Sequence, residues 1–301
     1  MRILSKIFTK EIMREVKKTI IPVAGYGTRF LPYTKAIPKA MLPVINRPAV
    51  EVIIEEAISA GIDKIALIVG QNKGNLEKHF SPSEELNRVL QGDSKKVFLD
   101  AINKFNDIDI ELIEQTEQKG TAHAIAIAKD FIGNEPFAVM FGDDLMYCER
   151  RCVIGQLIDE FEKTGKTIIG CKNVKKELVS KYASVEYSSQ KDNLYEITKI
   201  VEKPRQEDVK STLSPLGRYV CDPYIFEIIK NLKTGANGEY QFTDALDIIS
   251  REKGAYALEF EGTRYDMGDR LGFLKANVEF GLRDSGLGEE FLEYLKNLLV
   301  K

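Results

Sequence analysis

The chain has no run of apolar residues close to the roughly 20 that a helix needs to cross a bilayer. We therefore expect no integral membrane association. Its formal net charge is only −3, so no overall basic character favours a nucleic-acid partner. The four cysteines lack the paired spacing and the histidine cluster that indicate a zinc site. Because no secretory signal pattern is visible, we expect free thiols and a cytoplasmic location.

Two familiar nucleotide-binding loops are also missing. The apolar run 19–23 leads into Gly25 and Gly27, as a dinucleotide-binding fingerprint would begin. The third glycine of that fingerprint is replaced by Phe30, whose side chain would prevent the close packing of helix against strand. A Gly-Lys-Ser/Thr sequence does not follow the turn, which argues against a P-loop. The sequence thus disfavours a dinucleotide-dependent oxidoreductase.

The same turn does contain the features of a polyphosphate site. Glycine lets backbone N–H groups face an anion without interference from a Cβ atom. Arg29 adds a planar, two-pronged donor, and Lys39 adds a point charge. We expect a nucleoside triphosphate to bind here. The nucleotide-binding candidates of the turn are Ala24, Gly25, Gly27 and Thr28.

Short apolar runs alternate with helical patterns in the first half of the chain. The predicted strands are residues 19–23, 64–69, 109–113 and 137–141. The predicted helices are residues 49–60, 83–90 and 121–131. This alternation predicts an α/β fold with a doubly wound, mostly parallel sheet, whose ligands bind beyond the carboxyl ends of the strands.

The second half is less regular. We predict helices at 152–163, 223–232, 243–252 and from about 271, strands at 167–171 and 255–260, and a β-rich section at 182–221. The pattern favours one core with a β-rich insertion. We divide the chain into an N-terminal extension (1–18), one main domain (19–285) and a C-terminal helical tail (286–301). The extension has basic residues between apolar ones at helical spacing, which fits either contact with a membrane surface or partner, or a terminal helix packed on its own domain.

Two acidic segments are candidates for a metal site. Asp143 and Asp144 follow the run 137–141 directly, and Asp266 and Asp269 lie in a second acidic turn. Carboxylates at the end of a strand suit Mg²⁺, a hard cation that prefers oxygen ligands. Taken alone, Gly-Asp-Asp is also consistent with a helix cap or a solvated turn.

Residues 25–43 read Gly-Tyr-Gly-Thr-Arg-Phe-Leu-Pro-Tyr-Thr-Lys-Ala-Ile-Pro-Lys-Ala-Met-Leu-Pro. This segment resembles the signature of bacterial UTP–glucose-1-phosphate uridylyltransferases, which are sugar-1-phosphate nucleotidyltransferases. The resemblance extends from about residue 17 to about residue 283. It implies a Rossmann-like catalytic domain with a sugar-side insertion. It also implies an Mg²⁺-dependent enzyme that makes UDP-glucose and pyrophosphate from UTP and glucose 1-phosphate, as a homodimer or homotetramer.

The resemblance also implies roles for individual residues. Arg29 would stabilise the departing pyrophosphate and Lys39 would contact the triphosphate. Lys203, in the sequence Glu-Lys-Pro, would hold the sugar phosphate. Asp143 and Asp266 would bind the metal, with Asp144 and Asp269 as the alternatives. The sugar-binding candidates are Gly142, Ala183 and Glu202.

Gln115 resembles the glutamine that reads the uracil edge in this family, and Gly120 resembles the glycine that lets the base approach. Two other places depart from the family pattern. The residues after Gly120, Thr-Ala-His, are closer to those of enzymes that use N-acetylglucosamine 1-phosphate, and we interpret His123 as a packed helix residue. Ala183 stands where the family has a glycine near the sugar. Another sugar or nucleotide, or a non-catalytic regulatory paralogue, therefore remain alternatives.

Overall fold

The computed structural model describes residues 15–71, 73–235 and 238–299. Most of the amphipathic N-terminal pattern, residues 1–14, lies outside these ranges, so the two hypotheses about the extension stay predictions. Within the described ranges, no helix has both the length and the apolar character needed to cross a membrane.

Thirteen strands and eleven α-helices make up the regular structure of the described ranges. The strands are β1 Lys18–Pro22, β2 Pro43–Val44, β3 Arg47–Pro48, β4 Lys64–Val69, β5 Asp109–Glu114, β6 Phe137–Met140, β7 Asp144–Tyr147, β8 Thr167–Asn173, β9 Ala183–Lys191, β10 Leu194–Glu202, β11 Leu213–Cys221, β12 Ala255–Glu259 and β13 Thr263–Asp266. The helices are α1 Ala49–Ser59, α2 Gly74–Phe80, α3 Glu84–Val89, α4 Lys96–Asn103, α5 Thr121–Ala126, α6 Lys129–Ile132, α7 Val153–Thr164, α8 Ile225–Lys230, α9 Phe242–Glu252, α10 Arg270–Arg283 and α11 Gly288–Leu299.

Nine strands form one sheet in the order β5-β4-β1-β6-β11-β8-β12-β10-β9. The strand pairings make β10 and β11 antiparallel to the other seven. Neighbouring side chains of a strand point to opposite faces, and both faces of this sheet are covered. Along β4, Leu67 belongs to one apolar core and Ile68 to the other. The prediction of a doubly wound, mostly parallel α/β sheet is confirmed.

Helices on the two faces complete these cores. Apolar residues of α1 and α7 pack on one face, as Ile53 and Leu157 show. Residues of α5, α8 and α9 pack on the other, among them Phe226 and Leu246. Each predicted strand and helix has an observed counterpart close to its expected bounds, except that the predicted helix 121–131 is divided into α5 and α6. The division of the chain into extension, main domain and tail stays a prediction.

A small second sheet lies beside the large one and was not predicted. It pairs β7 with β13 in antiparallel fashion, so that Asp144 lies opposite Asp266. The two acidic segments of the sequence are therefore neighbours in space. Both adjoin the loop that follows β6.

Candidate active site

A cavity of about 570 Å³ opens beyond the carboxyl ends of β1 and β6. It is lined by residues from both halves of the chain. The predicted site residues on its wall are Ala24, Gly25, Arg29, Lys39, Gln115, Gly120, Gly142, Asp143, Ala183, Glu202, Lys203 and Asp266. A smaller cavity of about 140 Å³ adjoins it and shares Ala24, Gly25 and Gln115 with it. The structure thus brings together all of the predicted site residues except Gly27 and Thr28.

Gly25 and Gly27 differ in what their lack of a side chain permits. A Cβ atom on Gly25 would have no neighbour within 4 Å, so its backbone faces open space at the cavity. Gly27 has a φ of +62°, and a Cβ atom there would lie 3.0 Å from side-chain atoms of both Lys39 and Thr34. Thr34 Oγ1 donates a hydrogen bond of 2.8 Å to the Gly27 carbonyl. Gly27 therefore folds the loop against the segment that carries Lys39, whereas Gly25 is available to a ligand.

The two cations of the loop meet the second acidic turn. Arg29 Nη1 donates a 3.0 Å hydrogen bond to the Gly268 carbonyl. A Cβ atom on Gly268 would lie 2.9 Å from Lys39 Nζ and 3.3 Å from Arg29 Nη1. Both charges therefore converge on one point of the cavity wall, although Gly268 follows them by more than 200 residues. A polyphosphate at this point would meet a guanidinium and an ammonium together.

Two carboxylates face the same cavity. The backbone N–H of Met267 donates to the Asp143 carbonyl at 2.7 Å and so holds the two acidic segments side by side. The side chain of Asp143 is 45% exposed and that of Asp266 26%. Asp143 Oδ2 accepts a hydrogen bond of 2.7 Å from Lys39 Nζ, and Asp266 Oδ1 accepts one of 2.7 Å from the backbone N–H of Gly268.

The alternative carboxylates have other partners, although Asp144 also borders the cavity. Asp144 is buried, and its Oδ1 accepts a hydrogen bond of 2.6 Å from Arg264 Nε. Asp269 caps the N-terminus of α10, where its Oδ2 accepts from the N–H groups of Leu271 and Gly272, each at 3.1 Å. Asp143 and Asp266 are consequently better placed than Asp144 and Asp269 to bind a cation in the cavity.

Electrostatics keep the Asp143 carboxylate ionised. Burial acts to raise its pKa, but the charge and hydrogen bond of Lys39, with a contribution from Arg264, lower the pKa below its usual value. Within the described ranges, His, Cys, Asp and Glu side chains form no group of three or more that could hold a metal ion. A pair of carboxylates still fits Mg²⁺, which commonly takes one or two protein carboxylates and completes its shell with phosphate oxygens and water.

The other end of the cavity contains Lys203 and Glu202. Lys203 has a φ of 42°, and its N–H donates a 2.8 Å hydrogen bond to the Tyr182 carbonyl. Its ammonium lies 3.6 Å from Glu202 Oε1, and its side chain is 56% exposed. Glu202 Oε2 accepts a 2.9 Å hydrogen bond from Thr243 Oγ1. Burial raises the pKa of Glu202, while its bonds to Thr243 and Lys203 oppose that effect. The exposed ammonium of Lys203 can therefore bind an anion in the cavity while it stays paired with Glu202, a carboxylate that is able to accept hydrogen bonds.

The two family departures fit the fold without strain. Ala183 is buried, pairs with Glu202 across β9 and β10, and is not among the residues with positive φ. An alanine is therefore compatible with the backbone at this position. The other departure, in the residues after Gly120, includes His123. Its Nδ1 lies 3.1 Å from Nε2 of the buried Gln115. His123 thus packs against the predicted base-reading residue.

Two of the predicted glycines are explained by close packing. Gly120 has a φ of +106°, and a Cβ atom there would lie 2.5 Å from the Tyr240 carbonyl oxygen. A Cβ atom on Gly142 would lie 2.4 Å from Val23 Cγ1. These contacts join the loops that surround the cavity. The ligand contacts predicted for Gly120 and Gly142 stay predictions.

The sequence indicated the segment that contains Arg218 only as packing and sugar-pocket scaffolding, and it assigned no role to Arg264 or Tyr182. Arg264 bridges Asp144 and Asp266, and its guanidinium lies 5.1 Å from the ring centroid of Tyr182. Arg218 is fully buried behind the cavity. Arg264 precedes Tyr265 and Asp266, and Arg218 follows Gly217, but no local pattern in the sequence showed where either side chain would point.

The chain is similar to known proteins over nearly its whole length. Residues 18–281 match the family model described as nucleotidyl transferase. The chain is 42% identical, over 95% of its length and 99% of the relative's, to UTP–glucose-1-phosphate uridylyltransferase 2 of Staphylococcus saprophyticus. It is 40% identical to an apo UDP-glucose pyrophosphorylase crystal structure, with a TM-score of 0.84 and coverage of 88% of this chain and 98% of that one. It is 38% identical to a UDP-glucose pyrophosphorylase complexed with UDP-glucose, with a TM-score of 0.83 and coverage of 90% and 100%.

Proposed function

Because the chain belongs to the nucleotidyl transferase family, we propose that it transfers a uridylyl group from UTP to α-D-glucose 1-phosphate. The products are UDP-glucose and pyrophosphate. The family membership that the motifs indicated is confirmed. The curated relative that is 42% identical over 95% of the chain is named for this reaction, and a structural neighbour that is 38% identical holds UDP-glucose.

One observation carries the proposal. A single cavity contains two cationic regions, with Arg29 and Lys39 beside the acidic turn and Lys203 on the wall formed by the β-rich section. A nucleoside triphosphate and a sugar phosphate each require a cationic partner, and the reaction requires both ligands in one space. The adjoining smaller cavity, which shares Gln115, is where we expect the base to bind.

The reaction we propose is a single in-line displacement. A phosphate oxygen of glucose 1-phosphate forms a new bond to the α-phosphorus of UTP. The bond from that phosphorus to the bridging oxygen breaks, and its electron pair leaves with pyrophosphate. In this arrangement, Lys203 holds the nucleophilic phosphate, Lys39 contacts the triphosphate, and Arg29 stabilises the negative charge that develops on pyrophosphate. Catalysis by such groups consists of positioning and charge stabilisation.

We propose Mg²⁺ as the cofactor, held by Asp143 and Asp266. Both carboxylates line the cavity, and Asp143 stays ionised beside Lys39. When bound, Mg²⁺ supplies positive charge to the phosphate oxygens and fixes their orientation. In the described structure, Lys39 Nζ already neutralises Asp143, so the ammonium and the metal would share this carboxylate.

A panel of substrates tests the proposal. Pyrophosphate release should be fastest with UTP and glucose 1-phosphate and should require a divalent cation. Faster release with N-acetylglucosamine 1-phosphate or with dTTP would replace the substrate assignment and keep the reaction class. No release with any pair would favour a non-catalytic protein.

We further propose that the chain acts in the cytoplasm as a homodimer or homotetramer. All four cysteines are free thiols, as a reducing compartment would keep them. Large apolar side chains are exposed on α10 and α11, including Leu274 and Leu298 at 57% and 53% exposure. A second copy of the chain could cover them. Light scattering should give a mass of two or four times the 34.0 kDa chain, and a monomer at micromolar concentration would contradict the proposal.

A further inference from the structure

A buried ion pair lies directly behind the cavity. Arg218, on β11, is fully buried, and Glu56, on α1, is nearly so. Arg218 Nη2 lies 2.6 Å from Glu56 Oε2. The two residues are 162 positions apart in sequence and lie on different elements. None of the roles assigned above to the reacting groups involves this pair.

The guanidinium also binds the loop that carries the metal candidate. Its Nη2 donates a hydrogen bond of 2.8 Å to the Asp144 carbonyl, and its Nη1 donates one of 3.4 Å to the Phe141 carbonyl. Asp143 lies between these two carbonyls in the chain. One planar side chain therefore holds both ends of the short segment from which the Asp143 carboxylate projects.

Glu56 links the same point to a second helix. Its Oε1 accepts a 2.9 Å hydrogen bond from the backbone N–H of Ile154, in the first turn of α7. Both oxygens of Glu56 also accept from Arg218 Nε, at 3.2 and 3.1 Å. The pair thus ties α1, α7 and β11 to the loop after β6. Within the described ranges, no buried side-chain nitrogen or oxygen lacks a partner, so this network is complete.

The network continues to the other metal candidate. The Asp144 carboxylate is bound by Arg264, whose Nη2 lies 3.5 Å from Asp266 Oδ2. Gly217 packs against the same carboxylate, since a Cβ atom there would lie 2.3 Å from Asp144 Oδ2. A continuous path of hydrogen bonds and ion pairs therefore leads from Glu56 through Arg218 to the backbone carbonyl of Asp144, and from the Asp144 carboxylate through Arg264 to Asp266.

Stability alone is a weak explanation for such a pair. Desolvating two charges is costly, and buried ion pairs can often be replaced by apolar residues without loss of stability. The contacts here have a more specific consequence, because they hold the backbone on both sides of Asp143 and continue through Arg264 to Asp266. We propose that Arg218, held by Glu56, is a positioning residue. It sets the Asp143 carboxylate through the flanking carbonyls of Phe141 and Asp144, and the Asp266 carboxylate through Asp144 and Arg264. This inference rests on the proposed function of the cavity.

The test removes both charges together, because Arg218→Met alone would leave Glu56 buried without a partner. The variant is Glu56→Leu with Arg218→Met. Its thermal midpoint should fall, because the buried N–H of Ile154 and the carbonyl of Asp144 lose their partners, but the variant should remain folded at the assay temperature. Its kcat should fall, and the Mg²⁺ concentration for half-maximal rate should rise, each on the order of 10-fold to 100-fold, as for residues that orient metal ligands. The KM for UTP should change much less. Arg218→Lys, which keeps the charge but lacks the planar fork, should give an intermediate loss.

The matched control removes a neighbouring ion pair that has no contact with the site. Arg47 Nη1 lies 2.6 Å from Glu55 Oε1, also on α1, and both side chains are partly exposed. Arg47→Met with Glu55→Leu should leave kcat and the Mg²⁺ requirement unchanged.

Mn²⁺ binding in the presence of UTP, followed by electron paramagnetic resonance, provides a readout that does not need turnover. A wild-type chain that binds Mn²⁺ but releases no pyrophosphate would contradict the proposed function. Weaker Mn²⁺ binding by the double variant and by Arg218→Lys would still support the positioning role. Wild-type kinetics and Mn²⁺ affinity in the folded double variant would overturn that role, as would a wild-type chain that binds no Mn²⁺. If the double variant does not fold, Arg218→Lys decides by the same measurements.

Discussion

Asp143 and Asp144 are adjacent in the chain, but their side chains enter different surroundings. The Asp143 side chain is 45% exposed and meets Lys39 at the cavity. The Asp144 side chain is 6% exposed and meets Arg264. β7 begins at Asp144, and along extended backbone successive side chains point to opposite sides. The two carboxylates are therefore separated into one that faces ligands and one that supports the loop.

Asp143→Asn should remove activity without removing the fold. Losing one charged group at a site of developing charge lowers turnover on the order of 100-fold or more, whereas a half-exposed salt bridge contributes little to stability. Asp144→Asn should cost more stability than activity. It removes the carboxylate that binds Arg264 at 2.6 Å and leaves this largely buried guanidinium with only the longer contact to Asp266, at a cost of about 2 kcal/mol in the free energy of unfolding.

Urea unfolding and pyrophosphate release, measured on both variants, separate these outcomes. Near-normal activity in Asp143→Asn would contradict its assignment as a metal ligand. Wild-type stability in Asp144→Asn would contradict the structural role of the buried carboxylate.

Lys203→Ala should raise the KM for glucose 1-phosphate and lower kcat, together reducing kcat/KM by about 100-fold or more. The fold should be kept, since the Lys203 side chain is largely exposed. Lys210 is the matched control, because its exposed ammonium pairs with Glu186 away from the cavity. Steady-state kinetics in both substrates test this. Equal effects of Lys203→Ala and Lys210→Ala on the kinetics would contradict the role of Lys203 in binding glucose 1-phosphate.

Local sequence patterns predicted the parts of the fold that depend on short-range order. The strand at the start of the domain, the glycine turn and the spacing of Arg29 and Lys39 lie within one continuous segment. The burial of β4 and β6 follows from their continuous apolar composition. For the same reason, the direction of the parallel sheet and the location of the cavity at its carboxyl edge were predictable.

Long-range pairing was not predictable in the same way. β7 and β13 have four residues each and are separated by more than 110 positions, so neither has a pattern that identifies its partner. Glu56 lies in an amphipathic helix, where a glutamate normally indicates the solvated face, yet it is buried against Arg218. The apolar run alone did not distinguish Asp143 from Asp144, because both follow it. The family motif favoured Asp143, and only the structure shows that the Asp143 side chain is the more exposed of the two.

Glu202→Gln should make the protein more stable at neutral pH while weakening the sugar site. Burial raises the pKa of Glu202 above its usual value, so the native state binds this proton more tightly than the unfolded state does. The ionised carboxylate therefore lowers stability above the raised pKa, and this penalty disappears as the pH falls below the unfolded value. A glutamine keeps an acceptor for Thr243 and carries no charge.

Thermal unfolding from pH 4 to pH 8 measures this effect. The stability of the variant relative to the wild type should increase as the pH rises, and its KM for glucose 1-phosphate should be higher than that of the wild type. A constant difference between the two proteins at every pH would show that the charge of Glu202 has no energetic cost.

Gly25→Ala and Gly120→Ala should separate ligand binding from folding. Gly25 has open space around its Cβ direction, so the alanine should leave the free energy of unfolding unchanged and raise the KM for UTP. Gly120 combines a φ of +106° with a Cβ position 2.5 Å from the Tyr240 carbonyl oxygen. Its alanine variant should lose about 1–3 kcal/mol of stability. Denaturant unfolding together with UTP kinetics tests both. A destabilised Gly25→Ala variant with a normal KM for UTP would contradict the assignment of Gly25 as a nucleotide-binding residue.

Ala183→Gly tests whether the departure from the family pattern affects the choice of sugar. Ala183 lines the cavity beside Glu202, and its backbone does not require glycine, so the methyl group is the whole difference. Removing it enlarges the sugar region by one carbon. The ratio of kcat/KM for N-acetylglucosamine 1-phosphate to that for glucose 1-phosphate should rise by about 10-fold, the scale of one methyl-sized group in a pocket.

Ala255→Gly is the control for this change, because Ala255 is equally buried at the start of β12 and does not line the cavity. Both glycine variants should lose a similar amount of stability, about 0.5–1 kcal/mol, since each places glycine in a strand. Only Ala183→Gly should change the substrate ratio. If the ratio stays the same, the methyl group does not limit the choice of sugar. Selectivity must then come from other groups on the cavity wall, such as Thr243, whose hydroxyl donates a hydrogen bond to Glu202.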